Sequence, residues 1–107
     1  MEARPRQLEV YRLGSKHPFT DWSRGLGDPI ARRKVRVCLD RAEGGNLGDH
    51  ESVGEGVWEL RIDYGPGYRI YYGEIGDTII LLTGGIKKTQ ENDIARAKKY
   101  WRDYRRV

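Results

Sequence analysis

The chain has 107 residues, 37% hydrophobic and 34% charged, which suits one modest globular core and excludes an intrinsically disordered chain. No apolar run approaches the ~20 residues that span a bilayer, and Met1-Glu2-Ala3-Arg4-Pro5 lacks the apolar stretch of a signal peptide, so no membrane partner is expected. The net charge of +4 is unevenly spread: residues 87–107 hold eight Lys/Arg against three Asp/Glu, a net +5, whereas residues 1–86 carry −1. A basic stripe of that kind suits a polyanion or an acidic protein partner, or else is a solvated helix face. The lone Cys38 cannot close an intrachain disulfide, which fits the cytoplasm.

In chain order, residues 7–13 alternate Leu8 and Val10 with Glu9 and Tyr11, the period of a strand. Ser15 to Pro18 reads as a turn, and Thr20 is placed to cap a short helix with Phe19, Trp22 and Leu26 at helical spacing. Asp28-Pro29 is a strong second helix start, a capping carboxylate followed by proline at the first helical position. Ala31, Val35, Cys38 and Ala42 make one apolar stripe on that helix, so Cys38 reads as a core residue, not a nucleophile. Gly44-Gly45 ends it, and residues 46–55 read as a loop carrying His50.

Residues 56–90 then organise the fold. Trp58, Leu60 and Ile62 alternate with Glu59, Arg61 and Asp63; the Asp63–Gly67 stretch is rich in turn residues; residues 68–72 form a second strand. Gly76-Asp77 suits a tight hairpin, and residues 78–83 form a nearly continuous apolar strand buried on both faces. A glycine pair and two lysines lead into a final helix capped by Thr89, with Ile94, Ala97, Trp101 and Tyr104 on its apolar face. The expected order is β-α-α-β-β-β-α, a single α+β domain over residues 1–107. Its mostly antiparallel sheet carries an N-terminal helical hairpin and a C-terminal helix.

Metal-ligand spacings, a phosphate loop and a nucleophile elbow are all missing, so no metal or cofactor is expected. What remains is cationic and aromatic. Arg61 lies on the strand face opposite Trp58, Leu60 and Ile62, and Arg69 shares a face with Tyr71. The plain alternative for Arg61 is an ion pair with Glu59 or Asp63. Lys87 and Lys88 precede a helix N-terminus whose free N–H groups suit a phosphate.

The succession GVWELRI, GYRIYY, an apolar strand, GGIKKTQ and DIARAKKYWRDY resembles the RelE/ParE toxin superfamily over nearly the whole chain, and within it the HigB-like "addiction module killer protein" branch. The resemblance implies a type II toxin that inhibits translation by ribosome-dependent mRNA cleavage, an endoribonuclease activity. It also implies a cognate antitoxin, often of helix-turn-helix type, and mRNA on the ribosome as partners. A sister branch poisons DNA gyrase without RNA chemistry, and a detoxified regulator that binds the antitoxin is a third reading. Carried over residue by residue, the arginine of the G-Y-R-x-x-Y strand is Arg69, the basic position on the preceding strand is Arg61, and the cation after the last strand is Lys87 or Lys88. The expected catalytic set is therefore Arg61, Arg69, Lys88 and Tyr71, with Lys87, Lys98 and Arg102 binding RNA. The chain departs from the cleaving members in having Glu59 for a lysine, Ile94 for a tyrosine, and Thr83-Gly84-Gly85 where a histidine is frequent. Tyr71, Glu59 and His50 are the candidates for a general base.

Overall fold

The computed structural model describes residues 4–106. In chain order the elements are β1 (Gln7–Val10), α1 (Pro18–Arg24), α2 (Pro29–Glu43), β2 (His50–Gly54), β3 (Val57–Ile62), β4 (Tyr68–Ile75), β5 (Thr78–Ile86) and α3 (Gln90–Tyr104), with a 3-10 turn at Lys87–Thr89. The five strands lie in the order β1-β5-β4-β3-β2; β1 runs parallel to β5 and every other pair is antiparallel. This is the expected α+β architecture with one strand added.

The added strand is β2, in the stretch read as a loop. His50, Glu51 and Ser52 pair with Leu60, Glu59 and Trp58 at the edge of the sheet. An edge strand that buries neither face leaves no period-two signal, because both of its faces are solvated. Two smaller expectations also change. Helix α1 starts at Pro18 with His17 in the capping position, so Thr20 lies inside it. Thr89 occupies the capping position of α3 without a side-chain cap; its hydroxyl donates to the Asp93 carboxylate instead.

Helix α2 begins as its sequence dictates. Asp28 Oδ1 accepts the Ile30 N–H at 2.9 Å, and Pro29 supplies a pre-set φ at the first helical position. The other oxygen, Oδ2, accepts the Tyr64 hydroxyl at 2.7 Å, which ties the helix start to the β3–β4 turn. Together these bonds hold the Asp28 carboxyl below its ordinary pKa, the Tyr64 bond contributing most.

The sheet is covered on both sides. Phe19, Ala31, Val35 and Ala42 pack with Leu60, Ile62, Ile70, Tyr72, Ile79 and Leu81 on the face of α1 and α2. Tyr11, Val57, Tyr71, Ile80 and Leu82 pack with Ala97 and Trp101 of α3 on the other. Strands β4 and β5 are central in the sheet and buried over most of their length, which explains the continuous apolar run in β5. Their hairpin turns at Gly76, whose φ of +57° favours glycine.

The pair Gly84-Gly85, expected to open the last helix, lies inside β5 and is buried. A Cβ on Gly84 would stand 2.2 Å from the Trp22 ring, and one on Gly85 would stand 1.8 Å from Asp93 Oδ2. The two glycines thus let a tryptophan press on one face of the strand and a carboxylate on the other. Gly73 of β4 does the same for Trp101, with a closest approach of 2.5 Å.

Candidate cationic site between the sheet and the last helix

Register places Arg61 of β3 directly opposite Arg69 of β4, so the two arginines share the α3 face of the sheet. Like charges directly opposed across an antiparallel pair repel. The compensating charge comes from the same strand: Glu59 is fully buried and accepts Arg61 Nε at 2.9 Å. Its second oxygen accepts Gln90 Nε2 at 2.9 Å, which brings the first residue of α3 onto the strand. Arg69 Nε lies 3.9 Å from Glu59 and is buried without a hydrogen bond. One buried carboxylate therefore stands between two guanidiniums and a helix start.

Arg61 has further acidic company. Its guanidinium contacts Glu51 of β2, and Nη1 lies 3.9 Å from Asp49. Both of those carboxylates are exposed, whereas Arg69 keeps only 12% of its side chain accessible. The ion-pair reading of Arg61 thus describes its geometry, with Glu59, Glu51 and Asp49 as partners.

Beneath this cluster sits Tyr71, opposite Glu59 in register and wholly buried. Burial first, and the Glu59 charge second, push its phenol far above the ordinary tyrosine range, so it stays neutral. His50 lies on the other side of the sheet: it pairs with Leu60, its ring is 5.7 Å from Trp58, and its Nδ1 is 2.9 Å from the Gly48 carbonyl.

The start of α3 is not an empty phosphate seat. The Asp93 carboxylate fills it, 5% exposed, bonded by Thr89 and 3.5 Å from Arg96. A carboxylate in the first turn satisfies the positive helix end by itself. Lys87 and Lys88 occupy the turn just before it, and both are exposed. Lys87 N–H bonds the Gly67 carbonyl at 2.8 Å, which sets this turn beside the start of β4, two residues from Arg69. Lys98 and Arg102 lie further along α3 and meet Glu55 of the β2–β3 turn at 3.5 and 3.4 Å.

The structure therefore gathers Arg61 and Arg69 into one cluster, sets Lys87 and Lys88 at its border, and carries Lys98 and Arg102 away along the helix. Lys98 is eight residues past Gln90, about 12 Å along the axis at 1.5 Å per residue. Glu59, Gln90 and Asp93 organise the cluster; sequence reasoning offered Glu59 as a partner of Arg61 alone, and missed that it also faces Arg69 and accepts from Gln90. The one available signal was Glu59 itself, a carboxylate within the strand run VWELRI. Chemically, the arrangement offers planar guanidiniums and mobile ammoniums to a phosphate.

Comparison with known proteins agrees in direction. Residues 27–102 match the family described as Phage derived protein Gp49-like (DUF891). An uncharacterized protein of Haemophilus influenzae (strain Rd) is 44% identical over 81 residues, covering 75% of this chain and 82% of that protein. No helix among the described residues is long and apolar enough to cross a membrane. The matched span runs from the turn before α2 into the last turn of α3 and so includes every residue of the cationic cluster. The chain belongs to the phage-derived Gp49-like family, a toxin-like family consistent with the toxin of a toxin–antitoxin module and implying an antitoxin partner.

Proposed function

We propose that this chain is a HigB-like toxin of the RelE/ParE superfamily that acts in the cytoplasm by cleaving mRNA on the ribosome, and that a helix-turn-helix antitoxin restrains it. The observation that carries this reading is the opposed pair Arg61 and Arg69, held over the sheet by a buried carboxylate. Cleavage by a 2′-hydroxyl develops negative charge on the phosphate, and fixed guanidiniums stabilise that charge without reorganising. Arg69 is the fixed donor. Arg61 joins it when an incoming phosphate displaces the exposed Glu51 and Asp49. Lys88 is the mobile cation at the leaving side, and Lys87, Lys98 and Arg102 hold the RNA backbone along α3.

Tyr71 and Glu59 act as positioning residues in this scheme, Glu59 by fixing both guanidiniums and Tyr71 by supporting Glu59 from below. Alignment of the attacking hydroxyl then falls to the ribosome-bound mRNA, where positioning alone is worth about 7 kcal/mol or more.

Primer extension on a reconstituted translation reaction tests the reading. Breaks at defined codon positions that need ribosomes, and that disappear in Arg69→Ala, are the expected result. Intact mRNA at a dose that arrests growth would overturn it. One observation favours a second reading, a non-enzymatic toxin of the gyrase-poisoning kind: Glu59 is buried and bonded by Arg61 and Tyr71 is buried, which argues against acid–base work by either. A supercoiling assay separates that case. A detoxified regulator would bind its antitoxin and leave both growth and Arg69→Ala cells unaffected.

A further inference from the structure

Helix α2 has two faces with side chains suited to packing, and the sheet covers only one. Ala31, Val35 and Ala42 are buried against the strands. A second stripe runs Ile30, Arg33, Lys34, Val37, Cys38 and Arg41, spaced at i, i+3, i+4, i+7, i+8 and i+11 as one helix face requires. This stripe forms one wall of a groove of about 610 Å³ whose other wall is the 46–49 segment and the end of β3. Ile30 is 54% exposed and Val37 39%, large aliphatics that gain nothing from solvent. Arg33 and Arg41 make no ion pair with the described residues, and Lys34 Nζ rests over the Tyr64 ring at 5.2 Å.

The chemistry of the walls selects the occupant. The α2 wall is aliphatic with Arg33, Lys34 and Arg41 along its edge, the facing wall adds Asp49 and Asp63, so cations dominate on the helix side alone, and no aromatic side chain lines the groove. Single-stranded nucleic acid sites combine cations with stacking platforms, and the platforms are missing here. An aliphatic strip with cations on its edges instead matches a helix that is apolar on one side and acidic beside it.

We propose that this groove docks an acidic amphipathic helix of a partner protein, which on the toxin reading above is the antitoxin. Ile30 and Val37 lie two turns apart, so aliphatic side chains at heptad spacing on the partner seat beside them while its carboxylates meet Arg33 and Arg41. A partner helix of about three turns spans the stripe from Ile30 to Arg41. Arg61 lines the same groove. A docked helix therefore comes beside Arg61 at the sheet edge, where its last carboxylate competes with Asp49 for the guanidinium.

The test uses the full-length chain and the co-encoded protein that restores growth, with titration calorimetry on wild type, Val37→Glu and the pair Arg33→Glu/Arg41→Glu. All three positions are exposed, and thermal unfolding checks that each variant folds; Ile30→Glu serves as a second apolar variant. Affinity at least 100-fold weaker in both kinds of variant, with growth arrest undiminished and no longer relieved by the partner, is the expected result. Affinity within threefold of wild type would overturn the docking site while leaving the toxin reading intact. Variants that keep partner affinity but lose binding to a single-stranded RNA oligonucleotide would overturn it too, by assigning the groove to RNA. A wild-type chain that arrests no growth yet binds its co-encoded protein through these residues would support the groove and overturn the toxin reading. A wild-type chain with no measurable complex would overturn the docking proposal.

Discussion

Two arginines opposed across a strand pair repel, and a neutral residue at position 59 would leave them nothing to share. Glu59 is fully buried while Arg61 keeps about a third of its side chain in water, so the pair is only partly desolvated. Breaking a buried ion pair costs about 3–5 kcal/mol, and exposure of Arg61 moves the expectation to the low end. Glu59→Gln strands the buried Arg69 and should lower unfolding free energy by about 2–3 kcal/mol in urea, with Arg61→Gln losing less because Glu59 keeps Arg69 nearby and the Gln90 hydrogen bond. Equal losses for the two would contradict this account. At Asp28 the carboxylate is the stabilised form, since Tyr64 and Ile30 donate to it. Its folded pKa is lowered, so its contribution is present above the ordinary carboxylate value of about 4 and is lost as pH falls through the folded value. Asp28→Ala should lower stability at neutral pH, and the difference from wild type should shrink on acidification.

At the scale of elements, the glycines of the central strands set how closely the layers approach. Gly84→Ala and Gly73→Ala place a methyl group 2.2 Å and 2.5 Å from tryptophan rings, with no room on the strand side. Each should lower stability by about 1–3 kcal/mol, as overpacking does. Gly27→Ala has nothing within 4 Å and no positive φ, so it should stay within about 0.5 kcal/mol of wild type. Melting curves of the three variants decide the matter. The same glycines mark where sequence reading stops. Periodicity identified α2, β3 and the core face of α3, and aromatic and β-branched residues identified β4, which is covered on both faces. Gly84-Gly85 resembled a helix approach since a glycine pair carries no hydrophobic signal, and what it makes room for comes from residues 22 and 93, far off in the chain. The cationic residues Arg61 and Arg69 were legible from strand alternation. Their common face was not, since it depends on the register across the β3–β4 turn, and neither was the α3 contribution through Gln90.

Over the whole molecule, three of the seven tyrosines lie deep in the two cores: Tyr11, Tyr71 and Tyr72. Burial first, and nearby carboxylates next, raise all three phenols well above their ordinary value. A raised folded pKa means that stability from these groups is complete below the unfolded value of about 10 and is lost as pH rises through the folded values. Spectrophotometric titration should find that these three ionise only as the chain unfolds, and that single replacement by phenylalanine widens the alkaline stability range. Ionisation of all seven in one reversible step near pH 10 would refute this.

The parallel pairing of β1 with β5 joins residues 7–10 to residues 78–81, and α3 closes over the sheet last. A chain leaving the ribosome thus holds its first strand without a neighbour until most of the molecule has emerged. Glu59 likewise waits for Gln90, so the guanidinium pair is aligned only once the final helix is free. Synthesis therefore separates the moment at which α2 and its groove can form from the moment at which the charged cluster is completed. A partner that recognises α2 could take hold of the nascent chain before that cluster exists, making restraint a matter of birth order as much as of affinity.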